Sequence, residues 1–328
     1  MEDDAMRRNP IKLFVSTYEH AQRGPAIGAL HHFRALRNDP RFEIFEGRLK
    51  AIPRKERKRI DWVWFYNFID PGDYFFVRKK MKNAKIVIGP NLLFEKGEKG
   101  PYTDREHWLI NNVTCDIYCQ AAEYYMNWVR RFYTKVSRYV EIPYCIDTNE
   151  VFQTSPEKDY DVLLYLKVRR IDGRLPELYN HLVHLLNREN IAHHTMKYGT
   201  HNRDEFIYKV SQSRCCAWLS IEDFSANAQL ECQLLDVPII GTEYNATHIS
   251  DPRLLTDAQT FDFDHWVQWR SDMPETYLKK IIWFLSEGNQ HTVNSPRQYV
   301  IENHSLSVYS DKVWRMMNDN GKSRGTSE

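Results

Sequence analysis

Residues 215–241, CCAWLSIEDFSANAQLECQLLDVPIIG, hold two carboxylates at a spacing that suits a ligand with hydroxyls at both ends. The run CCAWLS reads as a buried strand. A short acidic loop follows, then a helix starting near Ser225 and a second strand. Ser220–Asp223 would stand at the carboxyl end of a strand, where open α/β sheets bind ligands. The helix N-terminus would point its positive end at a phosphate, and small Ala226 and Ala228 would allow close approach. Glu231 would lie roughly 12 Å along the axis from Asp223, at about 1.5 Å per residue. Carboxylates that far apart share no proton, but they can hold hydroxyls at opposite ends of an extended ligand. The competing reading is an N-cap acid followed by a solvent-facing Glu.

The elements that would position these residues alternate. Residues 11–16 (IKLFVS) read as a strand, and 26–38 (AIGALHHFRALRN) as an amphipathic helix. The glycine loop between them contains His20 and Gly24. It would aim backbone N–H groups at an anion, and it leaves His20 as an acceptor-side candidate by position. Strands follow at 41–46, 61–68, 85–90, 114–119 and 135–143, with helices between them. The stretch 143–160 lacks apolar periodicity, and the alternation then restarts with YDVLLYL (160–166). Strand–helix alternation of this length predicts parallel, doubly wound sheets, two in tandem. From about residue 264 the pattern reads as helical, beginning with HWVQWR.

A chain of 328 residues exceeds the usual limit of roughly 250–300 for one core. The net charge of +1 conceals an asymmetry: residues 1–150 carry 26 Lys and Arg against 20 Asp and Glu, and the remainder carry 19 against 24. The segments 48–59 and 78–85 hold seven and five of these cations. Such runs form solvated faces, or they meet a nucleic-acid backbone or an anionic membrane surface. The six cysteines form no CxxC pair and no metal-ligand spacing with histidine, so reduced thiols, a reducing compartment and no metal are expected. Adjacent His31-His32 and His193-His194 cannot make an i,i+4 metal site. With no signal-like start and no long apolar run, a cytoplasmic location without a transmembrane segment is expected.

The order strand, acid, seven residues, Glu231, then Val237-Pro238-Ile239-Ile240 resembles the E-x7-E signature of retaining GT-B glycosyltransferases of the GT4 type. Three further stretches match in the family's order. Residues 142–148 (IPYCIDT), with Phe152, are similar to its interdomain I-P-N-G-V-D-T segment. Residues 163–169 (LLYLKVR) are similar to the strand that brings a Lys and an Arg to the donor diphosphate. Tyr198-Gly199 is similar to the Y-G turn ahead of the signature. The sequence departs from the family at the first acid, which is Asp223, or Glu222 if the loop holds one extra residue. It also departs where the Gly-rich loop becomes Asp-Phe-Ser-Ala.

The resemblance implies an α/β GT-B fold of two Rossmann-like doubly wound domains facing across a cleft, with a helical C-terminal tail. Its limits would be 1–145 for the acceptor domain and 146–304 for the sugar-nucleotide domain. Residues 305–328 would form a helix packing back toward the first domain, with a frayed tail. The implied function is metal-independent transfer of a sugar, with retention, from a UDP- or GDP-sugar co-substrate, without a prosthetic group. The acceptor would be a glycan, a lipid-linked hydroxyl or nucleic acid, as in phage-type DNA-modifying glucosyltransferases. Lys167 and Arg169 would stabilise the departing diphosphate, and Asp223 would contact the sugar. Glu231 would hold the ribose. Glu222, Ser225, Ala226, Tyr198, Gly199 and Gly24 would complete the donor site. The basic first half would suit an anionic acceptor or surface. A non-catalytic nucleotide-sugar-binding module is the alternative. A Rossmann oxidoreductase is disfavoured, because no G-x-G-x-x-G follows a predicted strand.

Overall fold

The structure is a computed structural model. It describes residues 9–16, 27–66, 69–90, 104–150, 152, 154–155, 157–167, 173–221, 227–246, 248–262, 266–287 and 295–319. The expected frayed tail lies outside these residues. The chain forms two compact units: Met1–Pro143 with Leu306–Glu328, and Tyr144–Ser305.

The first unit runs β1 (Ile11–Ser16), α1 (Ile27–Arg37), β2 (Phe42–Phe45), α2 (Arg54–Arg57), β3 (Trp62–Phe65), α3 (Pro71–Lys80), β4 (Lys85–Ile88), α4 (Asp104–Asn112), β5 (Cys115–Gln120), α5 (Glu123–Arg130) and β6 (Val136–Glu141). The strands pair in parallel in the order β2-β1-β3-β4-β5-β6. A sheet covered on both faces needs near-continuous apolar strands, and WVWF of β3 is buried at every position. Asp70 starts α3 by accepting from the backbone N–H of Asp73 at 2.8 Å, with Pro71 behind it. Arg78, Lys79 and Lys80 close the helix against its negative end.

The second unit runs β7 (Tyr160–Lys167), α6 (Leu175–Arg188), β8 (His193–Lys197), α7 (Arg203–Ser211), β9 (Ser213–Ser220), α8 (Asn227–Leu234), β10 (Ile239–Ile240), β11 (Gln259–Asp262), β12 (Trp266–Trp269), α9 (Met273–Ser286) and α10 (Pro296–His304). Its main sheet is parallel, in the order β10-β9-β7-β8. In α6, Leu178, Leu182, Leu185 and Leu186 are buried at helical spacing. The helical reading of HWVQWR is corrected. Residues 266–269 are β12, antiparallel to β11. Val267 and Trp269 are buried and Gln268 is exposed, so the local period is two and not 3.6.

Among the described residues the last element is α11 (Leu306–Asn318), which belongs to the first unit. The His32 ring stacks on Tyr309 with centroids 4.4 Å apart, and its Nδ1 meets the Tyr66 hydroxyl. Burial, reinforced by His31, pushes the His32 pKa down to about 3, so the ring packs as a neutral group. Arg41 pairs with Asp311 at 2.6 Å, and Arg138 donates to the carbonyls of Met316 and Asp319. Tyr309→Ala should lower unfolding stability by about 3 kcal/mol, the usual cost of deleting a buried aromatic ring. A urea titration followed by tryptophan fluorescence measures it. A change below about 0.5 kcal/mol, ordinary for a surface position, would show that the stack does not hold α11.

Candidate functional site

The strand order of the second unit reverses between β7 and β9. Ligands of open α/β sheets sit outside the carboxyl ends of the strands at such a reversal. Lys167 and Ser220 are register partners there, each the last residue of its strand. Lys167 is half-buried, and its Nζ lies 5.2 Å from the centre of the Tyr198 ring. Tyr198 donates its backbone N–H to the Leu166 carbonyl at 2.9 Å and leaves its ring half exposed. The chain then turns at Gly199, whose φ of +83° favours glycine.

The end of β9 is held in an unusual way. β10 is only two residues long and pairs with β9 at Cys216 and Ala217, so the later carbonyls on that side have no strand to bond. Buried carbonyls need donors. Asn245 Nδ2 donates to the carbonyls of Trp218 (3.2 Å) and Ser220 (2.9 Å). The Tyr277 hydroxyl donates to Trp218 (2.9 Å), and Gln259 Nε2 to Ser220 (3.0 Å) and Ile221 (2.8 Å). Gly241 makes room for this arrangement, because a Cβ there would meet the Asn245 Oδ1 at 2.8 Å and the Ala246 Cβ at 2.5 Å. Three side chains thus do the work of the missing strand, at the point where the chain leaves for residues 222–226.

All sides of α8 are covered. Gln229 and Gln233 donate to carbonyls of Asn245 and His248. Leu230 and Leu234 pack with Val300 of α10 and with Ile146, and Cys232 joins the core that contains Trp218. Glu231 is the remaining residue of that turn, and only 5% of it is exposed. Its Oε1 accepts from Arg203 Nε at 2.5 Å, while Arg203 Nη2 donates to Glu150 Oε2 at 2.5 Å. The guanidinium also lies over the Phe152 ring at 5.4 Å. Arg203 opens α7, where the helix dipole opposes a cation, so the two carboxylates supply the compensation. Burial pushes the Glu231 pKa up against the opposing pull of Arg203, and the negative charge of Glu150 adds to the rise. Burial acts to lower the Arg203 pKa, and the two carboxylates outweigh it and raise it.

Lys167, Tyr198, Gly199 and Glu231 therefore all belong to the carboxyl edge of one sheet or to the helix that follows it. Arg169, Glu222, Asp223, Ser225, Ala226, Gly24 and His20 lie outside the described residues. Glu231 is not a solvent-facing residue of an exposed helix: it is buried and ion-paired. Sequence reasoning missed Arg203, Glu150, Asn245, Gln259 and Tyr277. A cation in the first turn of α7, directly after the N-cap Asn202, was the available signal, since helices favour acids there. The six cysteines are free and buried, and burial raises the thiol pKa of Cys115 to about 12 and those of Cys119, Cys145, Cys215 and Cys232 well above the usual range. None of these five is a poised nucleophile. Among the described residues, His201 Nε2 and Asn227 Oδ1 are buried polar atoms without a partner. They stand in the segments that follow β8 and β9.

No family profile matches the chain, and no curated protein matches it. Solved structures do. The chain is similar to the trehalose-6-phosphate synthase OtsA, with a TM-score of 0.59 at 10% identity over 94% of this chain and 99% of that one. It is similar to a chain of the GtfA/B complex, with a TM-score of 0.55 at 14% identity over 78% of this chain and 56% of that one. S. aureus TarM, solved as a point mutant with UDP, fondaparinux and alpha-GlcNAc-glycerol, gives 0.51 at 12% identity over 89% of this chain and 59% of that one. The chain spans less than two thirds of the last two. The structural neighbours are GT-B glycosyltransferases, and the fold of this chain is GT-B, with two Rossmann-like units.

Removing Arg203 leaves a buried carboxylate without its counter-charge. Arg203→Ala should cost about 3 kcal/mol at neutral pH, the lower end for a buried pair broken from one side, since Arg203 is itself part-exposed. The Glu231 carboxyl already has a raised pKa. Loss of Arg203 raises that pKa further, so the penalty should be complete only above the pKa in the variant and should shrink as pH falls and the carboxyl takes up a proton. Thermal unfolding at neutral and acidic pH checks this. A penalty independent of pH would remove Glu231 from the explanation.

Proposed function

We propose that the chain is a metal-independent glycosyltransferase of the retaining GT4-like type, using a UDP- or GDP-sugar as donor. The observation that carries this reading is the meeting of Lys167 and Ser220 at the strand reversal of the second unit, with the buried Glu231 on the helix that follows. UDP is bound in the TarM structure, which has the same fold. The donor diphosphate would lie at the carboxyl ends of β7 and β9. Arg169 and Lys167 would answer its two negative charges, and Ser225 and Ala226 would line its approach to α8. Tyr198 and Gly199 would border the base. Glu231 would accept from the ribose hydroxyls. It would arrive already aimed by Arg203, so little ordering would be needed on binding. The unpartnered His201 Nε2 and Asn227 Oδ1 would find partners on the same ligand.

In the transfer, the bond from the anomeric carbon to the phosphate oxygen breaks and its electron pair leaves with the diphosphate. The acceptor oxygen bonds to the same face of the sugar, and its proton passes to the leaving phosphate. Lys167 and Arg169 would hold the diphosphate in the donor complex and stabilise the negative charge that grows on it during transfer. Asp223, or Glu222 in its place, would hold the sugar hydroxyls. His20 and Gly24 are proposed on the acceptor side and near the donor respectively, from their place after β1. The acceptor is proposed to be anionic, whether glycan, lipid-linked or nucleic acid, because the first unit holds the basic segments 48–59 and 78–85. Among the described residues no helix is long and apolar enough to cross a membrane. The location proposed is cytoplasmic. The second reading, a binding module without turnover, is favoured by the loss of the Gly-rich loop at 223–226.

Thermal shifts against UDP-, GDP-, ADP- and TDP-sugars should show stabilisation by at least one of them. Lys167→Ala and Glu231→Ala should each abolish that shift. No stabilisation by any of the four would remove the donor site. Stabilisation without product in a turnover assay would select the binding module.

A further inference from the structure

The first unit carries an open trough of about 810 Å³ that has no part in the donor site. One wall is α2 and the residues after it, with Arg54, Arg57 and Lys58. The other is the end of α3 and the turn into β4, with Lys79, Lys80 and Lys82. The floor is apolar: Ile60, Met81 and Ala84 are buried, and Phe76 is half-buried under the Arg57 guanidinium, 5.0 Å from its ring centre. No carboxylate lines it. Glu56 sits within α2 but is not among the lining residues, and the next acids are engaged elsewhere, Asp61 with the Lys12 backbone N–H and Asp73 with Lys50. Among the described residues Arg54, Lys58, Lys79, Lys80 and Lys82 make no ion pair. A helix terminus explains only part of this concentration of charge. Lys79 and Lys80 answer the negative end of α3, and Arg54 and Lys58 belong to the single turn of α2 and its C-cap, whereas Lys82 lies beyond both helices.

The position is informative. α2 leads into the amino end of β3, and α3 leads into the amino end of β4. The strands are parallel, so the trough lies on the edge opposite the carboxyl ends where ligands of this fold react. A charged hollow there anchors a ligand and does not transform it. The shape also discriminates among anions. Six cations on two facing walls suit a narrow chain of phosphates entering between them. A flat bilayer would meet only the rims, and the buried floor offers no apolar side chain to insert into it. We propose that this trough binds a linear phosphodiester chain through its phosphates, independently of the donor site.

The test uses the full chain, a labelled single-stranded oligodeoxythymidylate followed by anisotropy, inorganic polyphosphate as competitor, and phosphatidylglycerol vesicles as a third arm. With each phosphate contact on a single strand contributing about −0.7 to the log–log salt slope, six contacts give about −4 between roughly 50 and 200 mM salt. Lys58→Glu with Lys80→Glu should weaken binding roughly tenfold or more and flatten the slope by about 1.4. The same double reversal in the other unit, Arg188→Glu with Lys279→Glu, should leave both unchanged. Where the reversed trough variant fails to fold, Lys58→Gln with Lys80→Gln reads the same slope change. Polyphosphate should displace the oligonucleotide. Equal affinity in trough and control variants would overturn the proposal. So would failure of polyphosphate to compete, or binding to the vesicles alone.

Discussion

A carboxylate inside a protein needs a counter-charge, and the second unit is arranged around that need. Glu231 is buried on a helix that is covered on every side, and Arg203 is the group that answers it. Arg203 is also held by Glu150, and the two carboxylates together outweigh its burial. The chain between Ile146 and Phe152 is thereby tied to the helices that follow β8 and β9. A pair of this kind adds little net stability compared with apolar packing, yet it is costly to break from one side. Its value here is geometric, since it holds a carboxylate in one orientation at the carboxyl edge of the sheet.

The same edge depends on a substitution of side chains for backbone. A longer β10 would satisfy the carbonyls of Trp218 and Ser220 through ladder bonds along the carboxyl edge. The short strand leaves that edge open, and Asn245, Gln259 and Tyr277 close the hydrogen bonds instead. Asn245 is fully buried, so its Asn-x-Thr sequence is a structural feature and not a surface glycosylation site. Lys167 and Ser220 end their strands side by side.

The alternation of strands and helices was legible because covered strands must be apolar and helices must repeat at 3.6. VLLYL in β7 and the leucines of α6 show each pattern directly. Residues 266–269 misled because a four-residue strand beside a helix offers too few positions to separate the two periods. The resemblance singled out Lys167, Tyr198, Gly199 and Glu231 by their order along the chain. The fold puts them at the carboxyl edge of one sheet or on the helix that follows it, while their roles belong to the proposal. Their partners were not legible. Nothing in local spacing relates Arg203 to Glu150, 53 residues away, or Asn245 to Trp218, 27 residues away. Those bonds exist only because the sheet brings distant loops to one edge. The basic segments were visible as charge, but only the placing of α2 and the end of α3 at the amino edge separates them from the carboxyl edge.

The central claim is that the carboxyl edge of the second sheet binds a nucleoside diphosphate between Lys167 and Glu231. Hydrogen–deuterium exchange with and without UDP or GDP tests it most directly, because it reports where along the chain binding acts. The account predicts slower exchange at the end of β7, in 198–203 and in the first turns of α8, with the sheet of the first unit unchanged. Protection confined to the first unit, with those three segments unaffected, would contradict it.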